Sequence, residues 1–106
     1  MKKLAPVANI DIGAINEVIH GRVRLGVMAY LAASDAAEFN QLKAALSTTD
    51  GALSVHLRKL EEAGYVAIAK TFRDRRPLTT VRLTSDGRKA FRTYLDALGK
   101  LTGLSG

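Results

Sequence analysis

The stretch TTDGALSVHLRKLEEAGYV, Thr48 to Val66, decides how the chain is read. Within it Leu53, Leu57 and Leu60 recur at a four-then-three spacing, which lines side chains along one stripe of an α-helix and predicts that this stripe is buried. At about 100° per residue the opposite face carries Gly51, Val55, Arg58 and Glu62, flanked by Ala52, Ser54 and Lys59. Small outward residues near the N-terminal end would let the helix sink into a groove. Cations further along would meet phosphates or a guanine edge, so the spacing predicts a helix that reads duplex DNA.

Its ends are marked by residue type. The hydroxyl of Thr48 or Thr49 can cap the orphan amides, and Asp50 suits the positive end of the helix dipole. Gly64 supplies a left-handed closing residue, with Tyr65 set to pack back on Leu60. The expected helix is about fourteen residues and roughly 21 Å long. Glu61 and Glu62 sit in its last turn, where the dipole disfavours acids, which predicts basic partners from the arginine-rich segment that follows.

With 106 residues the chain is expected to be one domain with a single modest core. It contains no cysteine, which excludes disulfides and thiolate metal sites and weakly favours a cytoplasmic setting. The apolar stretch in MKKLAPVANIDIGA is broken by Pro6, Asn9 and Asp11, so neither a signal peptide nor a membrane span is expected there. The formal net charge is +6, and its placement is more informative than its size. From Arg58 to Arg92 there are ten Lys/Arg against four acids; the rest of the chain holds six of each. The whole excess lies in one contiguous third, as an electrostatic footprint for a polyanion would.

In chain order, a leader of residues 1–9 is expected to be flexible. Ile10 to His20 would form a first helix, with Ile12, Ile15, Val18 and Ile19 on one stripe. Arg22 to Ala33 follows as a central buried helix with Val23, Val27, Tyr30 and Leu31 inward. Ala37 to Phe39 is extended, and Asn40 caps a two-turn helix whose Leu42 and Leu46 join Phe39 in the core. That helix and the one beyond Thr48 make a helix-turn-helix. After Gly64 the period becomes two, over Tyr65–Phe72 and Thr79–Leu83, with RDRRPL as the loop between two strands. Thr84 caps a last helix whose seam is Phe91, Tyr94, Leu95, Leu98 and Leu101, fraying over residues 102–106. The fold class is α+β, mainly α: helices with a two- to three-stranded antiparallel wing sheet, spanning residues 10–101.

In this order the chain resembles the winged helix-turn-helix transcriptional regulators of the MarR and ArsR type, above all the small stand-alone ones. The segments that carry the resemblance are IHGRVRLGVMAYL (Ile19–Leu31), FNQLKAALSTTDGALSVHLRKLEEAGYV (Phe39–Val66) and KTFRDRRPLTTVRLTSDGRKAF (Lys70–Phe91). The joint pattern LSxHLxxLEEAGYV, basic loop, RLTxxGR is more specific than any of its parts. The resemblance implies a homodimer on a pseudo-palindromic double-stranded operator. Ser54, Val55, Arg58 and Lys59 would lie at the major groove, and Arg73, Arg75 and Arg76 at the wing, on the backbone or in the minor groove. The chain departs from ArsR-type metal sensors in lacking cysteines, so no metal or other cofactor is carried over; an effector is not indicated.

The remaining candidates weigh toward structure. Asp50, Ser54 and His56 diverge on one helix and make no triad. His56 lies beside the leucine stripe and reads as a packing or phosphate-bonding residue, and His20 as structural. No acid–base pair, metal-ligand spacing or phosphate-cradling glycine loop points to an enzyme. The first and last apolar seams, through Ile12, Ile15, Ile19, Phe91, Tyr94, Leu95 and Leu98, are read as the dimer face. The competing reading of the basic face is a module that docks an acidic protein.

Overall fold

In the computed structural model, which describes residues 11–103, the chain runs α1 (Arg22–Ser34), β1 (Ala36–Glu38), α2 (Phe39–Ala45), α3 (Asp50–Glu62), β2 (Val66–Arg73), β3 (Arg76–Leu83) and α4 (Ser85–Thr102). The three strands form one antiparallel sheet in the order β1-β3-β2. The leader of residues 1–9, Ile10 and residues 104–106 lie outside the described residues. No helix among the described residues is long and apolar enough to cross a membrane.

One core joins these elements. Val27, Met28 and Leu31 of α1, Leu42 of α2, and Leu53, Leu57 and Leu60 of α3 are buried with Val66 and Val81 from the root of the sheet. Phe91 and Tyr94 of α4 close it from the far side. Beyond its root the sheet leaves the core: every residue of β2 after Ile68 is exposed.

The expected first helix is not formed. The chain makes one 3₁₀ turn at Ile12–Ala14 and then irregular turns up to His20. The Asn16 carboxamide oxygen accepts from the amides of Val18 and Ile19 at 2.9 and 3.2 Å, offering the backbone a local alternative to helical bonds. Asn16 also donates to the Tyr65 hydroxyl at 2.9 Å, which fastens this segment across the end of α3.

Two boundaries differ from expectation. The cap of α2 is Glu38 rather than Asn40: Glu38 and Gln41 form a reciprocal capping box, with the Glu38 amide donating to Gln41 Oε1 at 2.8 Å. The wing tip is shorter than RDRRPL. Only Asp74 and Arg75 form the turn, at φ 52° and 68°, while Arg76, Pro77 and Leu78 belong to β3. Two consecutive positive φ angles make a two-residue turn whose twist matches the strands it joins. At the other end of the chain α4 continues through Thr102, closed by Gly103 in the left-handed conformation.

Candidate nucleic-acid interface

The helix α3 is positioned from three sides. At its start the Thr49 hydroxyl accepts the Ala52 amide at 3.1 Å. Asp50 in the first turn is paired with Lys43 of α2 at 2.7 Å, which ties the two helices across their turn. At its end Gly64 adopts φ 84° and the Tyr65 amide donates back to Leu60 at 2.9 Å, satisfying a carbonyl the helix would otherwise leave open. Thr84 then locks this corner to α4. Its hydroxyl donates to the Gly64 carbonyl at 2.6 Å and accepts the Gly87 amide at 2.9 Å. Gly87 has no room for a side chain, because a Cβ there would lie 2.0 Å from the Tyr65 carbonyl oxygen.

With the leucine row buried, the other side of α3 faces outward as expected. Ser54, Val55, Arg58 and Lys59 are all exposed, Val55 by 55 % despite its apolar side chain. One open groove runs between this face and the wing. Ser54, Arg58 and Glu61 form its helical wall, and Ile68, Lys70 and Thr79 its sheet wall. Sequence reasoning missed Lys70. Its signal was period two from the buried Val66 and half-buried Ile68, which puts it on the same strand face turned toward α3.

The wing arginines divide. Arg73 makes a forked pair with Glu38, its Nη2 2.7 Å from Oε1 and its Nη1 3.4 Å from Oε2. It thereby braces the wing against β1. Arg75 at the turn and Arg76 beside it are exposed and are in no ion pair among the described residues. The expected basic partners of Glu61 and Glu62 are not there: among the described residues the ion pairs are Lys43–Asp50, Arg73–Glu38 and Arg88–Asp35. Both glutamates end in solvent, where an unpaired acid in a last helical turn costs little.

His56 bridges α3 to α1. Its Nδ1 lies 3.0 Å from Arg24 Nη1, and because a guanidinium only donates, this nitrogen must be the unprotonated acceptor. Burial, then the neighbouring charges of Arg24 and Lys59, hold its pKa below the ordinary 6.5. Arg24 also donates through Nε to the Val18 carbonyl at 2.5 Å, so one guanidinium joins the N-terminal segment to α3. His20 pairs through Nδ1 with the Tyr94 hydroxyl at 2.8 Å, a structural role.

The residues expected at a dimer face are split by the fold. Ile19, Phe91 and Tyr94 are buried within the chain's own core, which corrects their expected outward placement. The Phe91 and Tyr94 rings stack at 6.4 Å, and the Tyr94 hydroxyl is taken by His20. Ile15 and Leu98 are half-buried against that core, leaving Ile12 and Leu95 outward at 68 % and 48 % exposure.

A family model described as a winged helix DNA-binding domain matches residues 23–102. An uncharacterized protein of Methanocaldococcus jannaschii is 39 % identical over 79 residues, covering 74 % of this chain and 86 % of its own. The structure of a transcriptional regulator homologue from Pyrococcus horikoshii superposes with a TM-score of 0.78 at 33 % identity, over 83 % of this chain and 87 % of the other. The structure of NadR in complex with 4-hydroxyphenylacetate shares the fold, with a TM-score of 0.67 at 20 % identity over 97 % of this chain and 82 % of that one.

Proposed function

The chain belongs to the winged helix DNA-binding domain family, and on that premise we propose that it is a transcriptional regulator that binds duplex DNA as a homodimer. Each subunit sets α3 in a major groove and its wing on the neighbouring backbone or minor groove. The observation that carries this reading is the open groove shared by Arg58 of the helix and Lys70 of the wing. Its two walls turn cations toward one space while the leucine row holds the helix from behind.

Ser54 and Val55 supply the small surface that lets α3 approach base edges, and Arg58 offers a fork for a guanine. Lys59, Arg75 and Arg76 neutralise phosphates, which makes affinity steeply dependent on salt. Ile12, Leu95 and Leu98, with Ile15, are the side chains that a second copy would cover. The Pyrococcus protein, described as a transcriptional regulator homologue, supports the same assignment.

Selecting bound duplexes from a random-sequence pool tests the reading directly. A two-fold symmetric consensus is the expected result. Retention of no duplex at low salt would instead favour docking of an acidic protein on the basic face, and an asymmetric single site would remove the homodimer.

A further inference from the structure

The wing carries the most exposed large apolar side chain among the described residues. Phe72 lies three-quarters exposed, at 75 %, on a strand otherwise polar at its outer end. A phenyl ring left in water loses the burial that usually justifies it, so its placement asks for an occupant.

The strand register says which way it faces. Val66, Ile68, Lys70 and Phe72 alternate onto one face of β2, and their partners on β3 are Leu83, Val81, Thr79 and Pro77. The same face begins buried on the core, continues as the sheet wall of the groove beside Arg58, and ends at Phe72 and Pro77. Arg73 and Arg76, directly paired across the strands, stand on the reverse face. The apolar pair is therefore on the side of the wing that follows the reading helix toward its ligand.

Pro77 is suited to back the ring. The Arg73–Arg76 pair closes a two-residue turn, so the next pair, Phe72–Pro77, is the one whose amides point away from each other. Proline loses no ladder bond there, and its fixed ring lies against the closest cross-strand neighbour. From Ile68 to Phe72 the ribbon extends about 13 Å beyond its last core contact. That reach crosses the single phosphate strand dividing a major groove of about 12 Å from a minor groove of about 6 Å.

We infer that Phe72, backed by Pro77, is an apolar wedge that enters the minor groove beside the helix-bound major groove and unstacks one base step. The inference rests on the DNA-binding reading and deepens it by naming a specificity-determining residue. Charge decides the occupant. A lone ring beside Lys70, Arg75 and Arg76, with Asp74 as the one acid of the turn and Arg73 already on Glu38, is too small a patch for a protein interface, which needs hundreds of square ångströms of contact, but it fits a polyanion whose interior is apolar. Inserting it would bend the duplex toward the major groove and favour pyrimidine–purine steps, which unstack most readily.

Parallel selections from a random duplex pool with the wild-type chain and Phe72→Ala test this. The wild type is expected to enrich a TA or CA/TG step outboard of the half-site read by α3. Phe72→Ala keeps the half-site, loses the step, and binds the selected duplex about tenfold more weakly, the scale of losing one aromatic–base contact. With 2-aminopurine replacing the adenine of that step, fluorescence rises on binding wild type and Phe72→Leu in part, and stays flat with Phe72→Ala. Identical consensus, affinity and fluorescence for the wild type and Phe72→Ala would overturn the wedge while leaving the DNA reading intact. A change of oligomeric state in Phe72→Ala with an unchanged consensus would also overturn it, assigning the ring to a protein contact. Failure of the wild type to select any duplex would remove the DNA reading itself.

Discussion

Helix α3 and the wing bring cations to the same groove but are held differently. Helix α3 is clamped along its length by Leu53, Leu57 and Leu60, capped at both ends and tied to α1 and α2 by polar contacts. The wing is anchored at its root by Val66 and Val81, then by the Arg73–Glu38 fork, and its tip is otherwise in solvent. A base-reading element must hold register to within a fraction of a base pair, so rigidity serves it. A backbone-following element must adjust to the local groove, and a ribbon held at its root and by one exposed ion pair leaves room for that. The sharpest way to break this contrast is on the stability side. Leu57→Ala should destabilise the fold by about 3 kcal/mol, the scale for opening a cavity at a fully packed leucine. Phe72→Ala should stay within about 0.5 kcal/mol, as for a surface position. Comparable losses in chemical denaturation would mean that the wing is as much part of the core as the helix.

The next largest effect lies in DNA affinity. Arg58→Ala should cost about 1–3 kcal/mol on a selected site, because a base-reading fork is lost, with a much smaller loss on random duplex. Arg75→Ala and Arg76→Ala should weaken both duplexes alike and each lower the salt slope by about one. Equal losses for all three, in titrations at matched salt, would erase the division of labour between helix and wing.

What could be read from residues alone follows the same contrast. Where burial imposed a period, the sequence was legible: the leucine row of α3, the alternation of β2 and β3, and the Thr49 and Thr84 caps all lie as expected, and the resemblance to small winged helix regulators agrees with the family match. The spacing failed over Ile12–Ile19, because a helical stripe there competed with an Asn16 side chain that captures the local amides. Such a contest is settled by contacts that the local spacing does not carry: the Asn16–Tyr65 hydrogen bond, 49 residues apart in sequence, and Arg24 on the Val18 carbonyl. Glu38 was missed for a related reason. Its value lies in serving two partners, the α2 capping box and the wing's Arg73, which only the folded sheet brings together. For Phe72, alternation gives the strand face but not how far that face continues beyond the core.

The latch between His56 and Arg24 provides a pH test of how firmly the helix is held. Because the folded chain lowers the histidine's pKa below 6.5, the unfolded chain binds the proton more readily. Stability is therefore fully present above 6.5 and is lost as pH falls through the lower, folded value. Protonation removes the Nδ1 acceptor and sets a third positive charge beside Arg24 and Lys59. His56→Gln, which keeps a polar group without titrating there, should flatten the fall in melting temperature between roughly pH 6.5 and 5. An unchanged pH profile in His56→Gln would show that the latch contributes nothing to holding α3.

The smallest effect probes the wing tip, where one residue serves two opposed demands. Arg75 occupies φ 68°, a left-handed conformation in which a Cβ is strained, at the position where two-residue hairpins favour glycine. Arg75→Gly should relieve that strain and stabilise the hairpin by about 0.5–1 kcal/mol, partly offset by the extra freedom glycine gains when unfolded. The same change removes an exposed cation, so non-specific duplex binding should weaken to the same degree as in Arg75→Ala. A chain that melts higher yet binds DNA less tightly would mean that the arginine is kept at the tip for its charge, against the preference of the backbone. If Arg75→Gly neither stabilises the fold nor weakens binding, this position is neither strained nor in contact with phosphate, and the wing's contribution must come from its other residues, Lys70, Phe72 and Arg76.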